Sequence, residues 1–217
     1  MVFRDRREAG ELLARALIER YDGKLVNPVV VAIPRGGVVV AEPIAKALSA
    51  PLTLTFPRKI GAPFNEEFAI GAVTETGHVL LNPSITDDVA ARLGITREYI
   101  EKKALEKIRE IEERKRKFGI SDIDLYDRDV ILVDDGIATG LTVKAAISEI
   151  RRERPLRIIL AVPVMPEDKL EEFSSLADDL VVLYAPAFFN AVGQFYQRFP
   201  QVEDEEVIEI IRELRER

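Results

Sequence analysis

Val130-Ile131-Leu132-Val133-Asp134-Asp135-Gly136-Ile137-Ala138-Thr139-Gly140-Leu141-Thr142 is the stretch whose reading decides the fold. Four branched apolar residues stop at two carboxylates, a loop of small residues with two hydroxyls follows, and Val143-Lys144-Ala145-Ala146 begins a helical pattern. The order is strand, acidic tip, loop, helix. A strand that is apolar on both faces belongs in a parallel sheet covered on both sides, and open sheets of that kind bind ligands at the carboxyl ends of their strands. Where the helix starts, the first backbone N–H groups have no intrahelical partner, so the loop offers a concave set of donors for a phosphate. Gly136 and Gly140 let the main chain come close, and Thr139 and Thr142 add hydroxyls. A phosphate repels carboxylates, so Asp134 and Asp135 are suited to another part of the ligand, either sugar hydroxyls or a divalent cation. The plain alternative is an acidic turn capping the helix. That reading suits Asp87-Asp88, which follows Thr86, and Asp178-Asp179, at the start of a strand. Neither GxGxxG nor GxxxxGK[ST] occurs in the stretch, which disfavours the common dinucleotide and triphosphate loops.

Upstream, residues 28–33 read as a second buried strand and residues 38–48 as a helix. Between them Pro34-Arg35-Gly36-Gly37 sets a cation and two glycines at a strand's carboxyl end, which is a second anion site unless it is an ordinary glycine turn. Two such loops on neighbouring strands suit a ligand that carries phosphate at both ends. Downstream, residues 142–154 and 167–176 read as helices and residues 157–164 and 180–184 as strands. The alternation predicts an α/β fold with a doubly wound parallel sheet. Residues 5–21 form a covering helix capped by Asp5, and Val207, Ile208, Ile211 and Leu214 mark a closing amphipathic helix.

The remaining segments are less regular. After a strand at residues 52–56, residues 57–67 read as a long loop headed by Arg58-Lys59, either a mobile lid or a solvated charge pair. Two strands then flank the turn Glu75-Thr76-Gly77-His78, where His78 reads as a surface turn residue. Residues 84–93 and 96–118 are predicted helical. The longer helix carries Ile100, Ala104, Leu105, Ile108 and Ile111 as a stripe that a second copy of the chain would cover in a homodimer. Residues 185–201 break the pattern and gather Phe188, Phe189, Phe195, Tyr196 and Phe199, which either pack a small core or stack on a flat base.

With 217 residues, 47% of them hydrophobic, the chain suffices for one domain over residues 1–217. A helical insertion over about 84–118 and a hood with closing helix over about 185–217 are its additions. Zero cysteines and one histidine exclude disulfides, thiolate metal sites and histidine-rich centres, leaving a hard, oxygen-bound ion as the expected metal. A net charge of −7 disfavours a nucleic-acid partner. No run is long and apolar enough for a bilayer and the first residues lack the core of a secretory signal, so a cytoplasmic protein with no membrane partner is expected.

Val130 to Thr142 resembles the phosphoribosyl-pyrophosphate (PRPP) signature of the type I phosphoribosyltransferases. The resemblance implies that family's sheet, with a flexible loop, a helical insertion and a small C-terminal hood. It implies that Asp134 and Asp135 hold the ribose hydroxyls and, through water, Mg²⁺. Ala138, Thr139, Gly140, Leu141 and Thr142 would bind the 5′-phosphate. Arg35, Gly36 and Gly37 would bind pyrophosphate, with a cis peptide between Pro34 and Arg35. Arg58-Lys59 matches a pair that folds over the pyrophosphate in several members, so the implied catalytic set is Arg58, Lys59, Asp134 and Asp135. The hood implies a base-binding role for Phe189, Phe195 and Tyr196. The implied activity is transfer of the 5-phosphoribosyl group from PRPP to a nitrogenous base with release of pyrophosphate, in nucleotide salvage. The acceptor stays open: Ala138 stands where the 6-oxopurine enzymes carry an Asp, and Gln197 where they carry a metal-contacting Asp. The alternative is a PRPP-binding regulatory protein without turnover.

Overall fold

The computed structural model describes residues 2–120 and 122–216. From the amino end the chain runs through α1 (Arg6–Tyr21), β1 (Val29–Ala32), α2 (Gly36–Leu48) and β2 (Leu52–Leu54). An insertion follows, made of β3 (Arg58–Ala62), β4 (Asn65–Val73), β5 (Val79–Leu81), α3 (Asp87–Arg92) and α4 (Arg97–Phe118). The alternation resumes with β6 (Asp129–Val133), α5 (Leu141–Arg152), β7 (Arg157–Val164), α6 (Leu170–Leu176) and β8 (Asp179–Tyr184), and α7 (Asp204–Arg215) ends it.

Five strands form a parallel sheet in the order β2-β1-β6-β7-β8. Successive side chains of a strand point to opposite faces, so each inner strand supplies two cores. Ile131 and Val133 of β6 pack with Leu13 and Leu17 of α1, Ile44 of α2 and Ile211 of α7. Val130 and Leu132 pack on the other face with Val143 and Ile147 of α5 and Phe173 of α6. The doubly wound sheet is therefore as expected. From β1 the chain first turns one way to β2 and later the other way to β6, so a crevice opens at the carboxyl ends of β1 and β6. Their register, Val29 opposite Val130 through Ala32 opposite Val133, ends both strands at one level.

The segment read as a long loop is instead the start of a hairpin. β3 and β4 are antiparallel, with Arg58 opposite Val73 and Lys59 opposite Ala72, and β5 adds a third strand. The hairpin is ordered by burial: Ile60, Ala62, Ile70 and Val73 lie under Ala104 of α4 and Ile95. Arg58 and Lys59 thus sit at the base of a paired strand, not at the head of a free loop. The same three strands lean on α5 through Ala72, Leu141 and Ala145. Of the α4 stripe, Ala104 is buried against this insertion's strands with Ile100 and Ile108 packed beside it, Ile111 is buried in the main core, and Leu105 stays exposed. Among the described residues no helix is long and apolar enough to cross a membrane.

Candidate functional site

The two loops touch. The Pro34–Arg35 peptide is cis. A Cβ placed on Gly37 would stand 2.9 Å from the Val133 carbonyl oxygen, and one on Gly36 would stand 1.9 Å from Oδ2 of Asp135. Only hydrogen fits at either place. The glycines thus allow the cation-bearing loop after β1 to close directly onto the acidic tip of β6.

The acids are held from three directions. Oδ1 of Asp134 accepts the N–H of Asp135 at 2.8 Å. Burial, and then the neighbouring Asp135 carboxylate, push the Asp134 carboxyl well above the ordinary range, against the pull of Arg6 and Lys59. Burial also raises Asp135, and the hydrogen bond from Arg6 opposes it. Arg6, in the first turn of α1, donates from Nε to Oδ2 of Asp135 at 2.7 Å and from Nη1 to the Pro200 carbonyl at 2.7 Å. Its guanidinium carbon lies 3.7 Å from the centre of the Phe199 ring. On the far side the Tyr196 hydroxyl donates to the Asp135 carbonyl at 2.6 Å. Sequence reasoning missed Arg6. The Asp5 cap, whose Oδ1 accepts the Glu8 N–H at 3.0 Å, signals where α1 starts but not which residue it aims at the crevice.

After the acids, Ala138 and Thr139 are exposed and Gly140 is buried. Gly140 has φ +79°, and a Cβ there would stand 2.5 Å from Cζ of Phe173. As N-cap of α5 it has no side chain to satisfy the first amides, which are left free as donors. Thr142 is half-buried at the same end. The Leu141 side chain is buried against Ala72 and Ala145, so only its backbone faces this loop's chemistry.

Around the opposite loop the cations cluster. Arg35 Nη1 lies 3.3 Å from Oδ1 of Asp204, and Lys117 Nζ lies 2.6 Å from its Oδ2. Nε of Arg58 is buried without a hydrogen-bond partner. Lys59 is exposed, and its charge acts on Asp134. The hood aromatics divide: Phe195 and Tyr196 are buried with Phe3 and Val164, and Phe189 packs partly against them. Ring centres of Phe3 and Tyr196 are 5.4 Å apart, and those of Phe189 and Phe195 are 5.1 Å apart. These rings pack against each other at a tilt, while Phe188 is 90% exposed. Gln197 is exposed and its N–H donates to the Phe3 carbonyl.

Among the described residues no group of three or more acids, histidines or cysteines could enclose a metal. Two adjacent carboxylates fit Mg²⁺, which binds through one or two carboxylates and leaves its other positions to water and substrate phosphates.

A family model described as "Phosphoribosyl transferase domain" matches residues 5–195. Proteins from two strains of Mycobacterium tuberculosis, provisionally named as phosphoribosyl transferases, are 42% identical over 211 residues, 95% of this chain. The chain spans about half the length, 46%, of these curated relatives. A crystal structure of a Thermus thermophilus protein is 41% identical with TM-score 0.81, over 99% of both chains. A purine phosphoribosyltransferase from Pyrococcus horikoshii shares the fold at 17% identity and TM-score 0.50, over 93% of this chain and 97% of that one. The match along most of its length, together with the sheet and its two loops, shows that this chain belongs to the phosphoribosyl transferase family, enzymes of the glycosyltransferase type.

Proposed function

We propose that the chain moves the 5-phosphoribosyl group from PRPP to a nitrogenous base and releases pyrophosphate, as a step of nucleotide salvage in the cytoplasm. One observation carries this reading: an amide-and-cation loop and an uncapped helix start flank a pair of carboxylates on adjacent strands, with Gly36 in contact with Asp135. That arrangement suits a sugar bearing phosphate at both ends. The 5′-phosphate is taken by the Thr139 and Thr142 hydroxyls and the amides of residues 138–142. Asp134 and Asp135 accept from the ribose hydroxyls, with Asp135 oriented by Arg6.

In the reaction the bond from C1′ to pyrophosphate breaks as the bond from the base nitrogen to C1′ forms. The sugar passes through an oxocarbenium-like state and negative charge grows on the leaving group. Arg35, Arg58, Lys59 and the amides of Gly36 and Gly37 gather that charge. Asp134 and Asp135 would hold Mg²⁺ through water, and the ion would supply neutralisation of part of the phosphate charge. The β3–β4 hairpin is the element that brings Lys59 over the donor and excludes water. Phe195 and Tyr196 support the hood from beneath, and Phe189 with exposed Phe188 is left to meet the base.

The test is calorimetric titration of PRPP with Mg²⁺ followed by pyrophosphate release against a panel of nucleobases. Binding with release for one base supports the reading. Binding without turnover for any base favours a PRPP-sensing regulator, and absence of binding sinks both.

A further inference from the structure

Helix α4 lies outside the two-loop crevice, yet its last turns deliver charge to it. A single carboxylate, Asp204 at the start of α7, bridges Arg35 of the loop after β1 and Lys117 of α4, at 3.3 Å and 2.6 Å. One turn before Lys117, Arg114 lines a cleft of about 320 Å³ with Arg58, Lys117, Glu110 and Glu113. Glu110 is already engaged by Lys107 at 2.8 Å. Arg114 makes no hydrogen bond or ion pair with any described residue, and Nε of Arg58 is buried without a partner. Four cations, Arg35, Arg58, Arg114 and Lys117, therefore converge around Asp204, which pairs directly with only Arg35 and Lys117 and reaches Arg58 and Arg114 by its charge alone. The crowding is felt within the cluster. Burial first, and then the Arg114 charge, hold the Arg58 guanidinium below its ordinary pKa, and Arg35 adds to the effect. A surface network that only stitched α4 to α7 would leave no reason for an unpaired Arg114 facing a cleft beside a buried guanidinium. An anion with several charges and many acceptor oxygens answers all four.

We propose that Arg114 and Lys117 belong to the leaving-group site, binding pyrophosphate together with Arg35 and Arg58, and that Asp204 stands in for one phosphate in the free protein until pyrophosphate displaces it. The inference rests on the phosphoribosyl-transfer reading and extends it to two helices which the signature loops do not include. It also links α4 and α7 to ligand entry, because displacing Asp204 frees the contact that joins them.

The experiment is calorimetric titration of inorganic pyrophosphate into the full chain at fixed ionic strength, for wild type, Arg35→Gln, Arg114→Gln, Lys117→Gln and Asp204→Asn, with a thermal melt of each. Arg114→Gln and Lys117→Gln are each expected to weaken binding about tenfold, the scale of one lost charge-assisted contact. Asp204→Asn is expected to tighten it, because the internal competitor has lost its charge. Loss of binding in Arg35→Gln with wild-type affinity in Arg114→Gln and Lys117→Gln overturns the inference and leaves the two-loop reading standing. An Asp204→Asn variant that melts like wild type and binds no more tightly overturns the displacement. A wild-type chain that ignores pyrophosphate overturns both readings.

Discussion

Arg6 and Asp135 are 129 residues apart in the chain and joined by a 2.7 Å hydrogen-bonded ion pair at the mouth of the crevice. The same guanidinium reaches the Pro200 carbonyl, so one side chain ties the first turn of α1, the tip of β6 and the segment before α7. Both side chains are largely buried, 9% and 17% exposed. Removing one member leaves the other charge buried and unanswered, which costs about 3 kcal/mol in comparable pairs. Arg6→Gln is therefore expected to lower unfolding stability on that scale, read from urea denaturation, with Arg6→Lys losing less. An unchanged midpoint would mean that water already satisfies Asp135.

Gly140→Ala tests the loop after the acids. The residue would have to keep φ +79° and place its methyl 2.5 Å from the Phe173 ring, which is fully buried. The left-handed conformation and the displaced ring together are expected to cost about 3 kcal/mol. Ribose 5-phosphate binding should fall with it. A variant of wild-type stability would show that α6 yields to the methyl group.

Asp134→Asn should separate stability from function. Burial and the adjacent Asp135 make the ionised Asp134 unfavourable in the folded state, and an amide of the same shape removes that charge. Melting at neutral pH should rise by on the order of 1 kcal/mol in stability, while PRPP binding is lost. A drop in melting temperature would assign Asp134 a structural role instead.

Glu75 predicts a pH dependence away from the crevice. Its Oε2 accepts the Phe56 N–H at 3.2 Å, yet burial raises its carboxyl pKa, and nearby Glu149 adds to the rise. Between the unfolded value and this raised folded value, the native state holds a proton that the unfolded chain releases. Stability from this group therefore declines as pH rises through that window and stays low above it. Glu75→Gln should flatten the decline and add about 1 kcal/mol above it. Urea midpoints at about pH 4.5 and about pH 8 for both proteins check this, and parallel profiles would exclude Glu75 as the source.

Lys59→Ala is expected to lower kcat by about tenfold or more while PRPP affinity changes less than about twofold, if the hairpin places Lys59 on the developing charge. Single-turnover kinetics beside calorimetry separates the two quantities. Equal losses in both would make Lys59 a ground-state contact.

Local pattern was enough for much of this molecule. Val130 to Val133 are apolar on both faces because both faces are covered, so the strand, the sheet around it and the neighbouring loop after β1 were legible from residues alone. So was the cap at Asp5, since a cap bonds within its own first turn. The hairpin at Arg58 was not, because its apolar face is completed by α4, some forty residues later, and two short mixed strands carry little periodicity before that partner arrives. Phe195 and Tyr196 had two readings until Phe3, from the opposite terminus, closed over them. Arg6, Arg114 and Asp204 look like ordinary helix charges in sequence. Their partners lie across the fold, and an ion pair's energy depends on distance and burial in space, which spacing along the chain does not encode.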